Sequence, residues 1–396
     1  METLKFGIEM VAGNRKRFGI RRNASVAFAI VGLCACGVES PDNTGGADLE
    51  EGECGRGVVV VQSDYVSTNV SLLSIDGLVL SSSMISSGTT APGLSAALGG
   101  DVVVPSSRNV GADIVLIDRY PSGVLTWVDI ESGVPVGQLS VANGFYSNPR
   151  DYLQLSATKA YVSRYNTNDD SGMEQFDEGG DVLVVDPRNR VSVGRISMDL
   201  AMGGVSHEQY WPRADKLLEV GSDVAVLLGM YSPDFGSSAA SRVARLNPRL
   251  DVIEQTLVLE GMHGCTSMAI SPSGEEIAVG CSGQYSPDLG EQMVESGIVI
   301  LSVKGVWGEV RRFRAVDFGM GPIGDSVSYG GDGVIVFTTT GALDSDWSVT
   351  MLDSVVVAST LTGEFSVVLR SEGVAFALGS VGCASGCGVC FSADSS

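Results

Sequence analysis

Two neighbouring stretches decide the fold: "DYLQLSATKAYVSRYN" at residues 151–166 and "GDVLVVDPRNRVSVGRISM" at 180–198. Tyr152, Leu153 and Leu155 precede Ala157-Thr158, and Tyr161 and Val162 follow it. The apolar run Val182–Val185 stops at Asp186-Pro187, after which Val191, Val193 and Ile196 stand among polar residues. Short Val-, Ile- and Tyr-rich runs bounded by Asp, Asn, Pro and Gly read as strands. Connections this short join antiparallel neighbours, because a parallel pair needs a long crossover. The segment is therefore a four-stranded antiparallel meander.

The unit repeats every 45–65 residues. Its third strand ends in Asp76, Asp129, Asp186 and Asn247, spaced 53, 57 and 61 residues apart. A short polar side chain there bonds to backbone two residues on and starts a turn, a structural role. Tyr65, Tyr120, Tyr165, Tyr231 and Tyr285 recur where the second strand ends, and "MYSPDFG" (230–236) matches "QYSPDLG" (284–290) at 54 residues. Fourth strands fall at 79–85, 135–141, 192–198, 252–259, 308–316 and 364–369.

The run "AYVSRYN…DVLVVDPRNRVSVGRI" resembles the YVTN-type β-propeller repeat, with its Tyr-Val-Thr-Asn-like second strand and a third strand ending in Asp. The resemblance implies an all-β chain in which residues 55–396 form one six- or seven-bladed β-propeller of four-stranded antiparallel blades. The first unit, 57–88, lacks its innermost strand, and "GVAFALGSV" (373–381) is expected to supply it, closing the ring with a C-terminal strand and leaving no open edge. The stretch "CGVCFSAD" (387–394) is left for a degenerate seventh blade.

Ahead of the repeats, six basic residues lie between Lys5 and Arg22 and are followed by ten uncharged residues, Ala24–Leu33. This is the layout of an export signal; the run is about half the ~20 residues a spanning helix needs. Leu33-Cys34-Ala35-Cys36 resembles the lipobox of bacterial lipoproteins, which implies removal of residues 1–35, lipidation of Cys36 and membrane anchorage through that lipid, with Gly37 after the cysteine favouring the outer membrane. A plain secretory signal, giving a secreted or periplasmic protein, is the alternative. Residues 36–54 comprise the lipidated cysteine and a small, acidic, flexible tether.

Loss of residues 1–35 removes six basic and two acidic residues and takes the net charge from −22 to −26. Such a surface repels polyphosphate, so nucleic acid is excluded as a partner. Six cysteines remain, Cys54, Cys265, Cys281, Cys383, Cys387 and Cys390, an even number that reads as three disulfides in an exported protein. Cys265 and Cys281 are equidistant from Ser273 in the hairpin turn "SPSG", so they face each other across two strands. The other four allow three connectivities. Cys383-x3-Cys387-x2-Cys390 also has zinc-like spacing, but no histidine lies near it.

Propeller ligands dock where second-to-third-strand loops and blade links share a face. The five tyrosines stand there, either as stacking rings for a ligand or as caps of their own blades. His207 and Trp211 in "GGVSHEQYWPR" (203–213) join them as ligand-face candidates. Asn166, Asn168, Asp170 and Asp177 in "NTNDDSGMEQFDEGGD" occupy positions 1, 3, 5 and 12 of an EF-hand-like loop, a weak calcium candidate; a solvated acidic loop is the plainer reading, since Ser171 replaces the turn glycine. Two histidines cannot build a multi-His metal centre, and no Gly-x-Ser-x-Gly elbow sits between strand and helix. The sequence thus reads as an envelope binding platform for a protein or small ligand, with a divalent-cation-dependent propeller hydrolase or lactonase as the alternative and no catalytic residue assigned.

Overall fold

A computed structural model describes residues 8–9, 57–74, 77–107, 113–130, 132–384 and 389–394. Cys36 and the lipobox expected around it, the tether expected at 36–54, Cys54, Asp76 and Cys387 lie outside these residues. The chain is an all-β propeller of six successive antiparallel sheets, five of four strands and the first of three. Blade 1 comprises Val58–Ser63, Thr68–Leu73 and Val79–Ser86; blade 3 comprises Pro149–Ser156, Lys159–Thr167, Gly179–Asp186 and Val191–Ser197. Ile8–Glu9 forms a two-residue strand beside Val389–Cys390.

The outer strands begin and end within two residues of the expected ranges, as at Val252–Val258 and Phe365–Arg370. The turn chemistry holds where it can be seen. Asp186 Oδ1 accepts from Arg188 N at 2.9 Å and Asn189 N at 3.1 Å, and Asn247 Oδ1 accepts from Arg249 N at 3.0 Å. Cys265 and Cys281 are register partners and form a disulfide around a turn in which Gly274 N donates to Ser271 O at 2.8 Å.

Each sheet is apolar on both faces, and the core lies between blades. Ile117 and Trp127 of blade 2 pack on Val162 and Leu183 of blade 3; Leu227 and Val243 of blade 4 pack on Val279 and Val299 of blade 5. Each fully buried Val or Leu contributes about 1.5–3 kcal/mol.

The ring ends differently from the expectation. Among the described residues blade 1 has no innermost strand, and the C-terminal strand does not fill that place: Leu378–Ala384 pairs with Val389–Asp394. This hairpin lies on blade 6, with Val381 N donating to Ser326 Oγ at 2.8 Å and Val381 and Cys390 packed against Val336 and Val357. The physical reason is proximity. Cys383 and Cys390 are register partners and disulfide-bonded, so the hairpin closes a short loop, whereas pairing with Val58–Ser63 would close one of roughly three hundred residues at greater entropic cost.

Candidate functional site

Successive connections in a meander alternate between its two ends, so the propeller has two unlike faces. One carries short turns, among them Ala157-Thr158, Gly221-Ser222 and Asp332-Gly333. The other carries the second-to-third-strand loops at 168–178, 229–241, 283–295 and 340–353 together with the links between blades. Loop and link are tied on this face: Trp211 N donates to Tyr231 O at 2.9 Å and His263 N to Glu295 O at 3.1 Å.

The inner strands change register just where they meet the loop face. The ladder passes from Pro149 to Asp151 around Arg150, from Ala214 to Leu217 around Asp215 and Lys216, from Cys265 to Ser267 around Thr266, and from Ile323 to Val327 around Gly324, Asp325 and Ser326. A bulge leaves its extra residue unpaired and re-aims its side chain. Four consecutive blades therefore present bulged, mostly charged residues at the channel wall. Arg150 Nη2 donates to Asp215 Oδ2 at 3.3 Å, and the other oxygen of this buried carboxylate, Oδ1, accepts no hydrogen bond. Burial works against the Arg150 cation, but Asp215, Tyr165 and Asp325 outweigh it and hold its pKa above the ordinary arginine value. Asp151 is fully buried and accepts from Ser106 N, Tyr152 N and Leu217 N at 2.8–2.9 Å, joining three blades at the same level.

Behind this wall Arg213 sits in an aromatic box. Its guanidinium carbon lies 4.2 Å from the ring centre of Phe235, 4.5 Å from Trp211 and 5.0 Å from Tyr165. Nη1 donates to Asn166 Oδ1 at 2.7 Å, and Nη2 to Ser232 O and Pro233 O at 3.0 Å. Burial pulls its pKa down to about 10, which leaves it a cation at neutral pH. Three rings and neutral oxygens thus solvate a buried charge. Tyr231 adjoins Phe235 with ring centres 5.7 Å apart, and burial, followed by Asp215 and Asp325, pushes its hydroxyl up to about 12.

The expected ligand-face residues separate into two groups. Tyr165, Tyr231 and Trp211 are brought together at the Arg213 box, while Tyr65, Tyr120 and Tyr285 stand exposed, with Tyr120 leaning on Tyr146 at 5.4 Å. His207 is exposed, 3.4 Å from Asp199. In the acidic loop, Asn166 Oδ1 is taken by Arg213, Asn168 Oδ1 by Asp170 N at 3.2 Å, and Asp177 accepts from the amides of Gly172, Met173 and Glu174. Among the described residues no three His, Cys, Asp or Glu side chains gather as a metal-ligating group. Ser238 Oγ lies 2.9 Å and Glu295 Oε2 3.9 Å from His263, but both face Nδ1, so the imidazole does not relay between acid and hydroxyl as a hydrolase triad requires. Arg150, Asp215, Lys216, Asp325 and Phe235 escaped the sequence reading. The second "YSPD" copy was the one available signal for Phe235, which stands in the first copy where Leu289 stands in the second.

No family model matches the chain, and no curated protein matches it. Among solved structures the chain is similar to BamB from Moraxella catarrhalis, at 11% identity over 86% of this chain and 80% of that one, with a TM-score of 0.44. It is also similar to a functionally unknown protein from Desulfotomaculum acetoxidans, at 12% identity over 80% of each chain, with a TM-score of 0.46. At these values neither likeness assigns a family or an activity.

Proposed function

We propose that the protein is an exported propeller, anchored to the bacterial outer membrane through a lipid on Cys36, whose loop face docks a partner polypeptide. One observation carries the docking reading. Of the exposed aromatic residues among those described, Tyr65, Tyr120, Tyr146, Phe235, Tyr285, Trp347 and Phe376 all lie on loops or links of one face, and only Phe365 lies elsewhere, in an outer strand. Aromatic side chains dominate the energetic centres of protein interfaces, and gathering them on one face while the opposite turns expose only single aliphatic residues marks that face for contact. Anchorage draws support from the lipobox-like sequence, and export from the Cys265–Cys281 and Cys383–Cys390 disulfides, which persist in oxidising compartments.

The test is site-specific photo-cross-linking in the native cell. A photoreactive residue at Tyr285 or Trp347 is expected to give discrete adducts with a second polypeptide; the same residue at Leu250 or Leu361, also well exposed on the opposite turns, is expected to give none. Equal cross-linking from both faces defeats the reading. Intact mass of the membrane-extracted chain tests the anchor separately: a lipid-bearing N-terminal Cys36 is expected.

A further inference from the structure

We infer that the segment docked on the loop face is cationic, an Arg- or Lys-rich stretch interleaved with apolar residues; this rests on the docking reading above. The first ground is charge complementarity. Among the described residues no connection on the loop face contains a lysine, and the only arginines within those connections are Arg119, bound to Asp101 through Nε at 2.9 Å, and Arg213, buried in its aromatic box. Exposed carboxylates stand on every one of the long loops: Asp169 and Glu174, Asp234, Asp288 and Glu291, Asp344 and Asp346. The turns of the opposite face, by contrast, mix the signs, with Arg188, Arg190, Arg249 and Lys304 beside Asp251, Glu275, Asp332 and Glu364. Arg150, Lys216, Arg314 and Arg370 stand on the strand ends beside these connections, yet carboxylates outnumber them, and the loop face holds a net negative field that draws in cations and repels anionic polymers and anionic lipid alike.

The second ground is backbone conformation. Tyr65, Trp347 and Phe376 have φ of 64°, 61° and 61°, and are 84%, 82% and 62% exposed. Left-handed backbone is unfavourable for a bulky side chain and free for glycine, and a side chain in water recovers none of that penalty by packing. Fold stability alone would place Gly or Asn at all three positions. Aromatic rings held there at local cost are explained by contact with something outside the chain, and a ring face set among carboxylates receives a guanidinium or ammonium group by cation–π attraction.

The test uses the purified chain and a 15-residue peptide alternating Arg and Lys with Leu, against the same peptide with Glu at every basic position, by calorimetric titration at low and high salt. The basic peptide is expected to bind more weakly as salt rises, and the Glu peptide not to bind. Tyr65→Gly combined with Trp347→Gly changes no charge; it is expected to weaken the basic peptide about tenfold while the thermal midpoint stays level or rises. Undiminished binding to the double variant would reduce the effect to bulk charge and overturn the inference, as would equal binding of both peptides or uptake onto phosphatidylglycerol vesicles in place of the peptide. Adducts from Tyr285 and Trp347 without preference for the basic peptide would leave docking intact and defeat only the partner's chemistry; absence of those adducts would defeat docking itself.

Discussion

Asp353→Ala is expected to destabilise the protein by about 4 kcal/mol, and the figure follows from the hydrogen bonds of one buried carboxylate. Asp353 Oδ1 accepts from Gly341 N at 2.6 Å and Phe376 N at 2.9 Å, and Oδ2 accepts from Ala377 N at 2.5 Å and Leu378 N at 2.9 Å. The side chain thereby ties the 340–353 loop to the link that leads into the C-terminal hairpin, and it fixes the left-handed Phe376. Truncation orphans four amides. The Gly341 and Ala377 bonds are fully buried, and a buried donor left unsatisfied costs about 1–3 kcal/mol; the other two are partly buried and regain water. Two amides at that price set a range of about 2–6 kcal/mol, a large share of the 5–15 kcal/mol that holds a typical domain together. The control is Asp344→Ala, which removes only the exposed turn bonds from Asp346 N and Ser348 N, both at 2.9 Å, and should cost about 1 kcal/mol or less. Urea titration supplies the free energies, and amide exchange at Phe376–Leu378 supplies the location. If Asp353→Ala costs no more than Asp344→Ala, or if exchange quickens elsewhere and not at 376–378, the carboxylate does not fasten the hairpin.

Three further outcomes are expected. Arg164 and Asp181 form a bidentate pair at 2.8 and 2.6 Å with both side chains fully buried, and Asp181 also accepts from Arg195 Nε at 2.9 Å, so Asp181→Ala should cost about 3–5 kcal/mol in a denaturant titration, whereas the pair replaced together by Met and Leu, with Arg195 keeping Glu178 at 3.2 Å, should cost clearly less. Asp177 is held below the ordinary carboxylate value of 3.8 by amides of Glu174, Gly172 and Met173; its contribution is present above 3.8 and lost as pH falls through the lowered value, so exchange at Met173 and Glu174 should quicken only in that acid window, and Asp177→Asn should abolish the pH step. Replacing Cys265 and Cys281 by Ser should lower unfolding free energy by about 3 kcal/mol, the chain-entropy value for a loop of roughly this length, and peptide mapping without reductant should recover the 265–281 and 383–390 linkages intact.

Much of the fold was legible because its signals are local. A strand of alternating or continuous Val and Ile, stopped by Asp186 or Asn247 with a side chain suited to the turn, is specified within a dozen residues, and so were the outer strands. Cys265 and Cys281 could be paired because a hairpin's register follows from its turn. The site was less legible. Five tyrosines share one sequence position, yet only Tyr165 and Tyr231 adjoin the Arg213 box, because Phe235, on the same loop as Tyr231, stacks on Tyr165 of the preceding blade.

The sequence by itself determined the all-β repeat, the position of each outer strand, the turn residues, one disulfide and the acidic balance, since each rests on neighbouring residues or on a sum over the chain. Tertiary structure alone decided which residues face the channel, because the bulges at Arg150, Asp215-Lys216, Thr266 and Asp325 are mismatches between two strands and neither strand announces them. It also decided the C-terminal hairpin's place on blade 6, the aromatic box around Arg213, and the left-handed backbone that holds Tyr65, Trp347 and Phe376 out in water. Those features depend on partners in another blade or on φ angles imposed by the surrounding loop, and a linear chain carries neither in any single stretch.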